Sequence, residues 1–260
     1  LKKSGKAGYP PGVMNNYHTH TKRCKHASGS AVEYAAEAAL QGSSILGISD
    51  HTPLPDNRWP WVRMAMEELP LYEEEIEDAR RAEPELIILK AAECEWDNPY
   101  HSFYKEELLD KRGFDYLIGA LHWFPHRGSW LSLGEVESPA HLVSYAKHLI
   151  KTIESGLFTF IAHPDGFGAG YKSWDKETEA CSREIIEAAA ATGIPLEING
   201  YGFRKKGQPY PVEGFWEVAS GYPVSGICNS DAHNPKDVLA SIDRARELGN
   251  RHGIELIDTL

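Results

Sequence analysis

The sequence has no apolar run near the roughly 18 to 20 residues that cross a bilayer, which argues against a membrane-spanning chain. It has four cysteines, at 24, 94, 181 and 228, and no CxxC pair. That excludes a disulfide framework and a zinc ribbon as organising principles and fits a reduced, cytoplasmic protein. No secretory signal is visible. Positive charge is also scarce: the formal net charge is −11, without an obvious basic stripe, so broad binding to nucleic acid is not expected. An anionic small molecule remains compatible, because bound metal ions reverse a local field. No low-complexity linker or composition break divides the 260 residues, which suit one α/β domain. Residues 1–13, basic and rich in Gly and Pro, are expected to be an N-terminal arm or a remnant of expression, with the domain spanning 14–260.

What the chain does have is alternation. Seven β-branched apolar runs are expected as strands: Met14 to His20, Ser43 to His51, Leu86 to Glu95, Asp115 to Trp123, Phe158 to Asp165, Pro195 to Gly200 and Val224 to His233. Short continuous apolar runs of this kind read as parallel strands buried on both faces. Helical patterns lie between them. Ser30 with Glu33 forms a capping-box signature ahead of AVEYAAEAALQ, which Gly42 ends. Further helices are expected over Met66 to Ala82, Pro139 to Gly156, Lys176 to Gly193 and Pro235 to Gly249. Repeated β-α units imply an α/β barrel or an open parallel sheet.

Histidine is abundant, with 12 in the chain. His18, His20, His51, His122, His163 and His233 fall at predicted strand ends, and His26 in the loop after the first. Asp50, Glu93 and Asp231 join them. By contrast, His141, His148 and His252 scatter over predicted helix surfaces and loops. Any one strand-end histidine is ordinarily a hydrogen-bonded structural residue. Together they converge, because all strand carboxyl ends of a parallel barrel face one rim. Many buried imidazoles and carboxylates are costly without a counter-ion, which metal ions supply. Imidazole with carboxylate suits Zn, Mn, Fe or Co. His18 and His20 share a strand face, Asp231 and His233 repeat that spacing, and Glu93 and Glu95 share a parity, so either glutamate could bridge two ions.

The motifs HTH (His18 to His20), SDH (Ser49 to His51), ECE (Glu93 to Glu95), LHW around His122, AHPD (Ala162 to Asp165) and SDAH (Ser230 to His233) occur in the order found in the PHP (polymerase and histidinol phosphatase) superfamily, which the chain resembles from about Asn16 to Asn234. The resemblance implies a distorted, TIM-like (β/α)7 barrel as a single domain. It implies a first metal on His18, His20, Glu93 and Asp231, a second on His26, His51 and His233, and a third on Glu93, His122 and His163. Asp50 would orient a ligand or carry a proton. LEINGYGFRKKGQPYP (Leu196 to Pro211) is similar to the segment after strand six in histidinol-phosphate phosphatases, which makes Arg204 the matching phosphate-binding candidate. Arg204, Lys205 and Lys206 could equally be a solvated loop. Arg58 and Arg63 are further candidates, and Trp59, Trp61, Tyr100 and Phe103 could line a pocket.

The expected activity is therefore hydrolysis of L-histidinol phosphate, a step of histidine biosynthesis, by water activated between two or three divalent ions. Arg204 would clamp phosphate, and Asp50 or a water would protonate the leaving alcohol. A phosphodiesterase or nuclease acting on small diesters is the alternative, and an amidohydrolase a more distant one. A non-enzymatic module with a structural metal is disfavoured by the complete ligand set.

Overall fold

The computed structural model describes residues 14–260, so the expected arm at 1–13 lies outside the described residues. In chain order the main elements are α1 (Ala31–Leu40), β1 (Ile45–Ile48), α2 (Leu69–Ala82), β2 (Ile87–Glu95), β3 (Tyr116–Ala120), β4 (Trp123–His126), β5 (Ser129–Ser132), α3 (Pro139–Glu154), β6 (Phe160–Ile161), α4 (Lys176–Thr192), β7 (Leu196–Asn199), α5 (Glu213–Ala219), β8 (Ser225–Asn229), α6 (Ile242–Arg251) and β9 (Glu255–Ile257). Strands β1, β2, β3, β6, β7, β8 and β9 form one sheet in that order, parallel throughout. β4 and β5 form a separate antiparallel hairpin.

The sheet curls, and residues 16–20 draw its ends together. Asn16 bridges Leu46 of β1, while Thr19 bridges Ala232 beyond β8. The expected α/β barrel is present in this distorted form, but its seven strands are not quite the expected seven. Met14 to His20 does not form a ladder, because side chains take up its backbone donors. Tyr17 N–H goes to Asn229 Oδ1, His18 N–H to Asn16 Oδ1 and Thr19 N–H to Ser49 Oγ. The seventh place in the sheet belongs instead to β9, which pairs with β8.

Period-two alternation sorts the strand residues into two layers. Leu46, Ile48, Ala92, Cys94, Leu117, Leu196, Ile198 and Cys228 pack outward with the helices. Inside, Tyr17, Ile45, Ala91, Tyr116, Ile118, Ala120, Phe160, Ala162 and Ile227 form a smaller apolar plug. Gly47 is required here: a Cβ would fall 1.8 Å from the Tyr116 hydroxyl, which donates to Tyr17 O at 2.5 Å. Continuing the inward parity toward the carboxyl ends, Ala91 gives way to Glu93 and Glu95, Ala120 to His122, and Ile227 to Asn229 and Asp231. On β7 the inward positions are Glu197 and Asn199. The barrel interior thus changes from apolar to ligand-bearing at one rim, where parallel α/β barrels carry their sites.

Helix ends follow local chemistry. Ser30 Oγ accepts from Glu33 N–H, and the Glu33 carboxylate accepts from Ser30 N–H at 2.8 Å, completing the capping box. Gly193 closes α4 with φ 73°. The segment Met66 to Ala82 splits into a 3-10 turn, Met66–Glu68, and α2. Pro235 opens only a 3-10 turn, and α6 starts at Ile242.

Candidate metal centre

The ligand-bearing rim is one cluster of rings and carboxylates. His18 Nε2 lies 3.0 Å from His20 Nε2, and these two approach Asp231 Oδ1 at 3.7 and 3.2 Å. Glu93 stands in the middle, with Oε1 3.1 Å from His163 Nε2, 3.4 Å from His18 Nε2 and 3.7 Å from His122 Nε2. Its Oε2 lies 2.9 Å from His51 Nδ1 and 3.4 Å from His20 Nε2. On the open side, His26 and His233 face each other with Nε2 atoms 3.1 Å apart.

Several groupings have ligand atoms mutually within 4.8 Å: His18 with His20 and Asp231, His20 with His51 and Glu93, and Glu93 with His122 and His163. The first holds three of the four residues expected for one ion, without Glu93, and the third is the full set expected for another. His26, His51 and His233 do not close as one grouping. Near His20 and His233 the compact set instead includes the buried thiol of Cys24.

Proton accounting shows that these residues fit cations. His26 Nδ1 is 2.7 Å from Cys24 O and His233 Nδ1 is 3.0 Å from Asp231 O. A carbonyl only accepts, so each Nδ1 carries the ring proton and each Nε2 presents a lone pair. Burial holds the pKa of both rings below the ordinary histidine value, His233 at about 4, which keeps them neutral. Two lone pairs facing each other at 3.1 Å call for a cation between them. Burial alone would raise the Glu93 carboxyl, but His122, His18 and His51 overcome it and hold it well below the carboxylate range. Burial likewise opposes ionisation of Asp231, and His18 and its neighbours prevail. Glu93 Oε2 and Asp231 Oδ1 are buried without a hydrogen-bond donor, as metal-ligating carboxylate oxygens would be.

The walls behind the cluster fix its rings. Glu197 Oε1 accepts from His18 Nδ1 at 2.8 Å, and its Oε2 accepts from His163 N–H and Asn199 Nδ2. Asn199 Nδ2 also reaches Asp231 Oδ2 at 3.1 Å. Glu95 accepts from His122 Nδ1 at 2.6 Å, so between the two glutamates of equal parity Glu93 is central and Glu95 holds one ring. Such partners set tautomer and ring direction. His163 and Asp231 sit at φ 30° and 49°, a left-handed backbone that is rare for these residue types and clusters at functional sites.

The cavity above the cluster, about 140 Å³, is lined by histidines together with Trp123, Tyr201, Lys205 and Tyr210. None of the three arginines picked from the sequence lines it. Arg204 donates to Ala240 O at 2.7 Å and Ser230 O at 3.0 Å, bracing the chain behind Asp231. Arg63 is buried on Thr52 O near Glu95. Arg58 pairs with Asp56 and lies over the Trp130 ring. In this structure none of the three guanidinium groups expected to bind phosphate is brought to the cavity lining, although Arg58 Nη1 and Arg63 Nε and Nη2 are left without a hydrogen-bond partner. The cation that does reach the cavity is Lys205, hydrogen-bonded to the Tyr210 hydroxyl at 3.0 Å.

Asp50 is also away from the cavity. Its Oδ1 accepts from Thr21 N–H at 2.9 Å, pinning the chain next to His20, and burial pushes its pKa up to about 7. Trp59, Trp61, Tyr100 and Phe103 do not line the cavity, although Trp59 stacks on Trp123 at 4.5 Å. His148, placed on a helix surface from the sequence, is buried on Trp96 O. Glu197 was not among the residues picked from the sequence, and Lys205 was read only as part of a solvated run beside Arg204. The available signals were a lone acidic residue in an otherwise apolar strand and a second basic residue beside Arg204.

Comparison with known proteins agrees with this geometry. The chain is 28% identical over 258 residues to a Deinococcus radiodurans protein described as a probable histidinol-phosphatase, covering 90% of this chain and 93% of that one. A Schizosaccharomyces pombe protein of the same description is 24% identical, with 91% and 86% covered. The crystal structure of histidinol phosphate phosphatase from Lactococcus lactis, solved with zinc, L-histidinol and phosphate, superposes with a TM-score of 0.76 at 18% identity, covering 94% of this chain and 95% of that one. The PHP domain profile matches residues 16–200, most of the described barrel. The chain belongs to the PHP domain family.

Proposed function

We propose that this protein is a metal-dependent phosphomonoesterase that hydrolyses L-histidinol phosphate to L-histidinol and phosphate in the cytoplasm. The observation that carries the proposal is the facing pair of imidazole lone pairs on His26 and His233, next to carboxylate oxygens that lack donors. The choice of substrate is supported by the relatives described as histidinol-phosphatases. Two or three divalent ions, zinc, manganese, iron or cobalt, fit the donor set. One would be held by His18, His20, Glu93 and Asp231, and another by Glu93, His122 and His163. His26, His51 and His233 would hold a third, with Cys24 beside them. Bound there, such ions polarise phosphoryl oxygens and lower the pKa of water.

The chain's own residues do the rest. Lys205 reaches the cavity and is positioned to take a phosphate oxygen, with its ammonium oriented by the Tyr210 hydroxyl. Tyr201 stacks on His233, with ring centroids 4.5 Å apart, and walls the cavity on that side. Glu197 and Glu95 hold the His18 and His122 rings on target. Asp50 serves the position of the His20 loop and not proton delivery, since it has no exposure to the cavity. The test is phosphate release from histidinol phosphate by chelator-treated protein with metal added back, beside bis(p-nitrophenyl) phosphate. Faster turnover of the monoester supports the reading. Faster turnover of the bis-ester would replace it with a phosphodiesterase.

A further inference from the structure

Trp123, Tyr201 and Tyr210 give the metal cavity its aromatic walls. Two of these rings are already engaged. Tyr201 stacks on the His233 ring and has the Lys205 ammonium 4.4 Å from its centroid. Tyr210 lies against the His163 ring at 5.5 Å and holds Lys205 by its hydroxyl. Trp123 differs. One of its faces is covered by Trp59, stacked at 4.5 Å with 15° between the planes. Among the described residues no second ring stacks on it, its neighbour His122 being tilted by 52° at 6.0 Å. Trp123 is half-buried and lines both the metal cavity and the open groove beside it. An indole packed on one face and open on the other is a platform for a flat ring. The platform is also braced from behind. Trp130 meets Trp59 edge-on at 5.3 Å, and the Arg58 guanidinium lies 4.4 Å over the Trp130 ring. Trp59 itself sits at φ 55°, a strained backbone that this packing sustains. The stack holds the Trp123 indole in one orientation, so little ordering cost remains when a ring lies on it. Because Trp123 follows the candidate ligand His122 directly in the chain, the platform stands close to a phosphate at the metals.

We infer that Trp123 is a specificity-determining residue whose open face stacks on the imidazole of histidinol, so that the site selects phosphate monoesters whose alcohol ends in a flat ring. The inference rests on the phosphomonoesterase reading and names what that site reads in the alcohol. The imidazole that meets the indole is largely uncharged at neutral pH, while Lys205 stays with the reacting phosphate. Trp59 is a positioning residue, acting only through the indole it backs.

The test compares kcat/KM of the metal-loaded full chain on the phosphate monoesters of histidinol, phenylalaninol and alaninol. The three share one amino alcohol and differ in an imidazole, a phenyl ring or no ring. Both ring-bearing esters are expected to be favoured over alaninol phosphate by about 3- to 30-fold, the size of one stacked ring pair with the apolar area it covers. In Trp123→Leu the preference, read as a ratio within that variant, should fall toward one, and Trp123→Phe should restore most of it. The comparison on the unaltered protein stands whether or not the leucine variant folds. Equal turnover of histidinol and alaninol phosphates by the unaltered protein overturns the platform and leaves the phosphatase reading standing. Phenylalaninol phosphate turned over no faster than alaninol phosphate, or a preference kept in Trp123→Leu, also overturns it, because the imidazole would then be read by its nitrogens or elsewhere. No phosphate release from any monoester overturns both.

Discussion

His20 touches more of the cluster than any other ring, lying within 3.4 Å of His18 Nε2, Asp231 Oδ1 and Glu93 Oε2. His20→Ala should therefore remove a bound metal and, with it, phosphate release, read by metal analysis and initial rate on one sample. A variant with full metal content and full rate would refute its role. Glu197→Gln keeps the volume but loses the charge that faces His18 Nδ1. Metal affinity is expected to fall by about 10- to 100-fold, as for other residues that orient a metal-bound histidine. Arg204 and Lys205 separate two roles that the sequence alone merges. Lys205→Ala should lower kcat/KM for a phosphate monoester by about 10- to 100-fold, the loss of one charge-assisted hydrogen bond. Arg204→Ala strips two backbone carbonyls of their donors and should cost about 1–3 kcal/mol of stability in a denaturant titration. If Arg204→Ala instead left stability intact and raised KM, the assignment would reverse. That these side chains gather in one cluster was legible, because histidines at the strand ends of a parallel barrel meet at one rim. Which member of the run Arg204–Lys205–Lys206 faces inward was not, since a loop has no fixed period to sort its side chains.

At the level of the element, the strands that read clearly were those with both faces buried, such as ILGI of β1 and YLIGA of β3. β9 is a three-residue strand with partly exposed positions, too short for a pattern, and depends on its neighbour β8 for definition. α5 has seven residues and no side-chain cap, which hid it inside a long connection. The expected fourth strand, Asp115 to Trp123, takes in only the first residue of the β4–β5 hairpin, although the Arg127-Gly128 turn, with both residues at positive φ, is a hairpin signal. The α1 cap was legible because its chemistry is local. Ser30→Ala removes one half of that capping box and should cost about 0.5–2 kcal/mol, which thermal denaturation would detect. An unchanged melting temperature would mean that packing of Tyr34 and Ala35 alone holds α1.

For the whole molecule, the apolar plug and the outer helix layer together form the folding core, and the metal rim sits at one end of it. Chelation should therefore abolish activity while leaving the far-ultraviolet circular dichroism of the barrel in place, with a lower melting temperature because bound ions stabilise the native state alone. Collapse of the secondary structure on chelation would make the metals structural. No helix among the described residues is long and apolar enough to cross a membrane. Metal content and rate, followed together, show whether the ions drive the hydrolysis. Stripped protein is titrated with zinc or manganese, and ions bound per chain are measured beside phosphate released from histidinol phosphate. The rate should rise with metal and saturate at about two to three ions per chain. A rate independent of metal, or full occupancy without phosphate release, would contradict a metal-dependent phosphatase.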